Sequence, residues 1–165
     1  MLVASICDLG CGTGFDLSQL AKLGFRNLLG IDYSSNAIDV CRALYSSEII
    51  RFEVVDILQS NSMEGVFDVL IDKGTYDAIC LNPDADLQRN RQLYMQFITE
   101  HLAATGYFVL MSCNFTKEEL FKDLLQNHAF QVYCDFGTPP FVHVGIQRRK
   151  VTGLVLRPQN CYTRE

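Results

Sequence analysis

Three glycines within five residues, Gly10, Gly12 and Gly14, stand directly behind the apolar run "LVASICDL" and directly before the helical pattern "FDLSQLAKLG". A strand, a glycine-rich turn and a helix in immediate succession leave backbone N–H groups free at a helix N-terminus. Ligands with negative or strongly accepting groups bind there. The chain must therefore fold so that a strand feeds a helix, with a candidate ligand site only a few residues from Met1.

The rest of the chain repeats that alternation without a low-complexity linker or an internal repeat. The first helical pattern turns Leu17, Leu20, Ala21 and Leu23 inward and ends at Gly24. "RNLLGID" reads as a second strand, "SSNAIDVCRALYS" as a Ser-capped helix, "IIRFEVVDI" as a third strand and "VFDVLID" as a fourth. A loop containing "LNPDAD" leads to the helix "LQRNRQLYMQFITEHL", whose Leu87, Tyr94, Phe97, Ile98 and Leu102 share one face, and then to the strand "GYFVLMSC". Thr116 to Glu119 form a capping box opening "EELFKDLLQNH". The strands "FQVYCDF" and "VTGLVLR" close the chain with no helix between them. This predicts an α/β fold of seven strands, with an antiparallel strand at the end of an otherwise parallel sheet.

A chain of 165 residues, 48% hydrophobic, buries one core, so a single domain over 1–165 is expected. The net charge of −5 speaks against a sequence-independent grip on nucleic-acid phosphates. Seven cysteines, odd in number and never spaced as CxxC, indicate neither a zinc site nor a disulfide framework; reduced, mostly buried thiols are expected, and no metal. No apolar run approaches membrane-span length and no basic leader follows Met1, so a soluble, intracellular protein without a membrane partner is expected.

The residue that would complete a dinucleotide fingerprint is Phe15, not a small one, which disfavours NAD; no Gly-Lys-Ser/Thr follows, which rejects a P-loop. Asp32 ends the second strand, where a carboxylate accepts hydrogen bonds from ribose hydroxyls. Asp8 precedes the glycines, and Asp56 with Ile57 closes the third strand. With these residues the chain resembles the seven-stranded (class I) S-adenosylmethionine-dependent methyltransferases. The resemblance implies a Rossmann-like, doubly wound, mostly parallel seven-stranded sheet and S-adenosyl-L-methionine as cofactor. It implies that Asp8, Gly10, Cys11, Gly12 and Gly14 approach the methionine part, that Asp32 takes the ribose, and that Asp56, beside Ile57, reaches the adenine amino group, with Tyr33 over the adenosine.

The fourth strand ends in "DKGTYDAICLNPD", not in the Asn/Asp-Pro-Pro-aromatic box of many enzymes that methylate bases or Gln. This stretch, "SCNFTKEEL" and "LGFRNLLGIDYSSNAI" are similar to the lysine methyltransferase family of eukaryotic translation elongation factor 1-alpha, in its Asp-Lys-Gly-Thr subgroup. The resemblance implies a protein-lysine N-methyltransferase with that factor as protein substrate. The expected partner is neither nucleic acid nor membrane, the expected state a monomer, and the compartment the cytoplasm with the nucleus as a second one. Free lysine, with a pKa of about 10.4, must lose a proton at a cost of roughly 4.6 kcal/mol at pH 7. Asp72 or Asp77 would hold the incoming ammonium, and Tyr76 would bound its channel with a cation-π face; Asp72 and Tyr76 are the expected catalytic pair. Asp72 as a ligand of the cofactor's amino group and Lys73 as a plain ion-pair partner are the competing assignments. Asn114 and Phe115 either border the acceptor channel or form a turn before the Thr116 cap. A methyltransferase of another protein or small molecule, and a catalytically idle cofactor-binding module, are the alternatives. In that family a segment before the first strand covers the cofactor; here that lid is expected to be missing, because strand one begins within a few residues of Met1. "FVHVGIQRRK" departs from the family pattern, and His143, Arg148 and Arg149 in it are read as solvated loop residues.

Overall fold

The computed structural model describes residues 2–45, 49–59, 63–82, 86–126, 129–137, 142–143, 146–147 and 151–159. Strand β1 (Leu2–Leu9), helix α1 (Phe15–Lys22), β2 (Phe25–Asp32), α2 (Ser35–Leu44) and β3 (Ile50–Val54) make up the first half. They are followed by β4 (Phe67–Lys73), α3 (Thr75–Cys80), α4 (Leu87–His101), β5 (Leu102–Ser112) and α5 (Lys117–Leu124). The chain closes with β6 (Phe130–Gly137), a two-stranded hairpin of β7 (Val142–His143) and β8 (Ile146–Gln147), and β9 (Thr152–Pro158).

Seven strands form one sheet in the order β3-β2-β1-β4-β5-β9-β6. The pairs β1·β2, β2·β3, β1·β4 and β4·β5 are parallel, and β9 is antiparallel to both β5 and β6. The antiparallel strand is the last in sequence, as expected, but it is not at the sheet edge. The crossover through α5 leaves β6 one strand away from β5, and β9 fills that slot.

Neighbouring residues of the central strands serve opposite faces. Ile6 and Leu28 join Leu17, Ile38 and Phe52 under α1 and α2, while Cys7 and Leu29 join Tyr76, Tyr94, Ile98, Phe108 and Leu120 under α3, α4 and α5. Unbroken apolar runs are what two covered faces demand. Leu17 is fully buried, but Leu23 turns outward, 70% exposed, because α1 ends at Lys22 before the turn at Gly24. Tyr94, Phe97 and Ile98 face the core as the periodicity predicts; Leu87, in the first turn of α4, lies partly in solvent.

Helix caps follow the local sequence. Ser34 Oγ accepts from Ala37 N (3.3 Å) at α2. At α5 the Thr116 hydroxyl accepts from Glu119 N (3.2 Å), and the Glu119 carboxylate accepts from Thr116 N (2.8 Å). Thr116→Ala should lower the urea midpoint by the equivalent of about 1 kcal/mol, and Thr116→Ser should restore most of it. Six described cysteines, Cys7, Cys11, Cys41, Cys80, Cys113 and Cys134, are free thiols; Cys161 lies outside the described residues. Arg148, Arg149 and the side chain of His143 also lie outside what is described. No described helix is long and apolar enough to cross a membrane.

Candidate active site

The chain leaves β1 toward β2 and β3 on one side and resumes at β4 toward β5 on the other, so the carboxyl ends of β1 and β4 part company. In open α/β sheets ligands bind at that point. A cavity of about 530 Å³ opens there, within the usual size range for small-molecule sites. Gly10 contributes from the glycine turn, Asp32 and Tyr33 from the end of β2, Asp56 and Ile57 from the end of β3, and Lys73, Gly74 and Thr75 from the end of β4.

The three glycines have different reasons to be bare. All adopt positive φ, at 68°, 54° and 69° for Gly10, Gly12 and Gly14. A Cβ on Gly10 would collide with Thr75 Oγ1, whose hydroxyl donates to the Leu9 carbonyl (2.7 Å). A Cβ on Gly14 would stand 2.9 Å from the Phe52 ring. Gly12 alone opens onto space, with nothing within 4 Å of where its Cβ would be. Gly10 and Gly14 are therefore bare for the protein's own packing, Gly10 while also lining the cavity; Gly12 is open at its Cβ position and borders the cavity through its bond to Asp32. Cys11 turns its sulfur toward Gly30 and the sheet rather than toward the cavity.

Asp32 is almost fully buried and held in place by two backbone donors, Gly12 N to Oδ2 (3.0 Å) and Ser34 N to Oδ1 (2.9 Å). The carboxylate thus locks the open glycine while standing in the cavity wall. Asp56, half-buried, accepts from Leu58 N (3.0 Å) and Gln59 Nε2 (2.9 Å). Tyr33 lies over the rim, 80% exposed. Asp8 is buried at the foot of the glycine turn and accepts no hydrogen bond from a described residue; burial, reinforced by the charge of Asp16, pushes its carboxyl up to about 7 against the pull of Lys73.

Asp72 and Tyr76 lie under the cavity, not in its wall. Asp72 is fully buried: Oδ1 accepts from Thr75 N (2.9 Å), and Oδ2 accepts from Tyr76 N (2.9 Å) and from the Tyr94 hydroxyl (2.6 Å). It caps α3, which has no capping side chain at Gly74. Burial pushes its carboxyl up to about 6, opposed first by the Tyr94 hydrogen bond. Tyr76 is buried too, its hydroxyl donating to Asp123 Oδ2 (2.9 Å), which also meets Arg91 Nη2 (2.7 Å). Its ring packs on Tyr94 and Phe115, at centroid distances of 5.1 and 5.5 Å. The structure brings neither side chain to a place where an incoming amine would meet it. The reason is that the stretch after Lys73, read as loop from the sequence, is helical from Thr75 to Cys80 and turns these groups inward.

Asp77 joins the two stretches that the sequence singled out. Its carboxylate accepts from the Ser112 hydroxyl (2.5 Å), Cys113 N (2.9 Å) and Asn114 Nδ2 (2.9 Å), binding α3 to the turn after β5. Ser112 Oγ in turn accepts from Asn114 N (3.2 Å) and Phe115 N (3.0 Å). Asn114 and Phe115 thus form the turn leading to the Thr116 cap.

A family model described as "Methyltransferase domain" matches residues 4–148. The chain belongs to that family. Within it, human "EEF1A lysine methyltransferase 2" is 38% identical over 159 residues, 94% of this chain and 66% of that protein. This methyltransferase domain thus spans just under two thirds of the human relative's length. "Protein-lysine N-methyltransferase EFM4" of Saccharomyces cerevisiae is 30% identical over 167 residues, covering 95% of this chain and 71% of its own. Among solved structures, the N-methyltransferase NodS from Bradyrhizobium japonicum, in complex with S-adenosyl-L-homocysteine, matches with a TM-score of 0.73 and 19% identity over 94% of this chain and 79% of that one. That last likeness is one of fold.

Several residues of the methyltransferase domain's cavity wall were not singled out from the sequence. Ala78 and Ile79 come from α3 and Asn90 from α4. A six-residue helix is too short to show periodicity. Among the described residues no group of three or more His, Cys, Asp or Glu side chains is placed to hold a metal ion.

Proposed function

We propose that this methyltransferase domain transfers a methyl group from S-adenosyl-L-methionine to a lysine of translation elongation factor 1-alpha. The observation that carries the reading is the cavity at the strand ends, where Gly10 of the glycine turn shares the wall with two carboxylates, Asp32 and Asp56. Such a wall fits a nucleoside joined to an amino acid: Asp32 has lone pairs for ribose hydroxyls, Asp56 for the adenine amino group, and Ile57 and Tyr33 offer apolar surface to the base. When bound, the cofactor supplies a methyl carbon made electrophilic by a sulfonium. The protein's part is to align the acceptor and to favour a neutral amine over an ammonium, which costs about 4.6 kcal/mol for free lysine at pH 7. The apolar part of the wall works in that direction, since desolvation lowers an amine's pKa.

Asp72 and Tyr76 then act as positioning residues. They fix α3, whose Thr75, Ala78 and Ile79 form one side of the cavity. The acceptor assignment is supported by the named relatives and by the Asp77 junction, which ties the two stretches shared with the lysine methyltransferases into one piece. In this reading the partner is a protein and neither a nucleic acid nor a membrane, in keeping with a net charge of −5. The domain works as a monomer in the cytoplasm and the nucleus.

The test is to incubate the chain with methyl-labelled cofactor and purified elongation factor, and to locate label by peptide mass analysis. Label on one lysine is expected. Binding of S-adenosylhomocysteine without label on that factor would overturn the acceptor; no binding at all would overturn the cofactor.

A further inference from the structure

Lys73 and Asp72 are neighbours on β4 and therefore point to opposite sides. Asp72 turns into the core under α3; Lys73 turns toward the glycine loop, where its Nζ lies 3.2 Å from Asp16 Oδ2 in the first turn of α1. The pair is open to solvent, with side-chain exposures of 55% and 36%, so it contributes little to holding the fold together. Its position gives it another use. Lys73 stands in the cavity wall beside Gly10, Gly74 and Thr75, at the end away from Asp56, and the only described anion paired with its ammonium is Asp16. An ammonium has three N–H donors, so one shared with Asp16 leaves others for a ligand.

We propose that Lys73, aimed by Asp16, grips the α-carboxylate of the amino-acid end of the cofactor. The inference rests on the reading of the cofactor as S-adenosylmethionine and adds a residue that selects for its intact amino-acid end. The two ends of the cavity then divide the work: Asp32 and Asp56 face the nucleoside, and Lys73 faces the carboxylate. Asp16, in the first turn of α1, holds the Lys73 ammonium at this end of the cavity.

Calorimetry on the full chain separates the parts, using S-adenosylhomocysteine, its decarboxylated analogue and 5′-methylthioadenosine, which lacks the whole amino-acid end. Wild type should bind S-adenosylhomocysteine at least about tenfold more tightly than the decarboxylated analogue, the size expected of one charge-assisted hydrogen bond. Lys73→Gln should lose about that factor for S-adenosylhomocysteine alone, bind the other two as wild type does, and be rescued largely by Lys73→Arg. Equal weakening of all three ligands, or unchanged affinity for S-adenosylhomocysteine, would overturn the inference. Wild type that binds all three alike overturns it while leaving the cofactor reading standing; wild type that binds none overturns both.

Discussion

Gly10→Ala is expected to destabilise the protein by about 3 kcal/mol, whereas Gly12→Val costs the fold about 2 kcal/mol and weakens cofactor binding instead. Both residues have positive φ, so either side chain meets left-handed strain of roughly 1–2 kcal/mol. At Gly10 the new methyl also meets Thr75 Oγ1, and overpacking a tight site adds roughly 1–3 kcal/mol. Moving Thr75 out of the way breaks its bond to the Leu9 carbonyl and disturbs the start of α3. At Gly12 a Cβ has no neighbour to strike, so the Val side chain acts instead on the turn whose N–H is held by Asp32 in the cavity wall. Urea titration of both variants, with S-adenosylhomocysteine affinity measured alongside, checks the contrast. Gly12→Val should bind at least about tenfold more weakly. A normal dissociation constant for that variant would show that the loop is not the cradle.

Asp72→Ala should cost about 3 kcal/mol or more, the second large effect, because three donors lose the buried acceptor they share: Thr75 N, Tyr76 N and the Tyr94 hydroxyl. Asp72→Asn keeps the shape and falls between, since its amide N–H replaces one acceptor and leaves one backbone donor of α3 unpaired. Cofactor affinity should fall with stability in both, through the cavity wall that α3 supplies. If the residue served an incoming lysine, Asp72→Asn would instead keep affinity and lose rate, with a deficit shrinking at high pH. The titration of Asp72 gives an independent reading. Its carboxyl is raised to about 6 by burial, above the ordinary 3.8, so the folded chain holds the proton more tightly than the unfolded one. Wild-type stability from this group therefore falls as pH rises from about 4 to about 6. Asp72→Asn should remove that component of the slope, measured as urea midpoints at pH 4.5 and 7.5; an unchanged slope would mean that the carboxyl is not buried as described.

Short-range signals in the sequence settled a good part of this protein. Apolar periodicity located the seven strands of the main sheet and the long helix α4, though not the short β7 and β8, where the pattern around His143 reads as loop; local hydrogen-bonding chemistry located the Ser34 and Thr116 caps, because those signals act over a few residues. The strand-end acids Asp32 and Asp56 were legible for the same reason: a strand ends where its pattern ends, and parallel strands bring their ends to one edge. What tertiary structure alone decided are the facings and the neighbours. Gly10 is bare because Thr75 arrives at the start of α3, and Gly14 because Phe52 arrives from β3, neither of them adjacent in sequence. Asp72 could be placed at a strand end by pattern, but its direction was fixed by the unpaired N–H groups of a helix too short to be read, and by Tyr94 on another helix. The slot taken by β9 depended likewise on where the α5 crossover set down β6. A side chain at a strand end faces whichever partner satisfies it at least cost, and those partners are brought together only by the folded sheet.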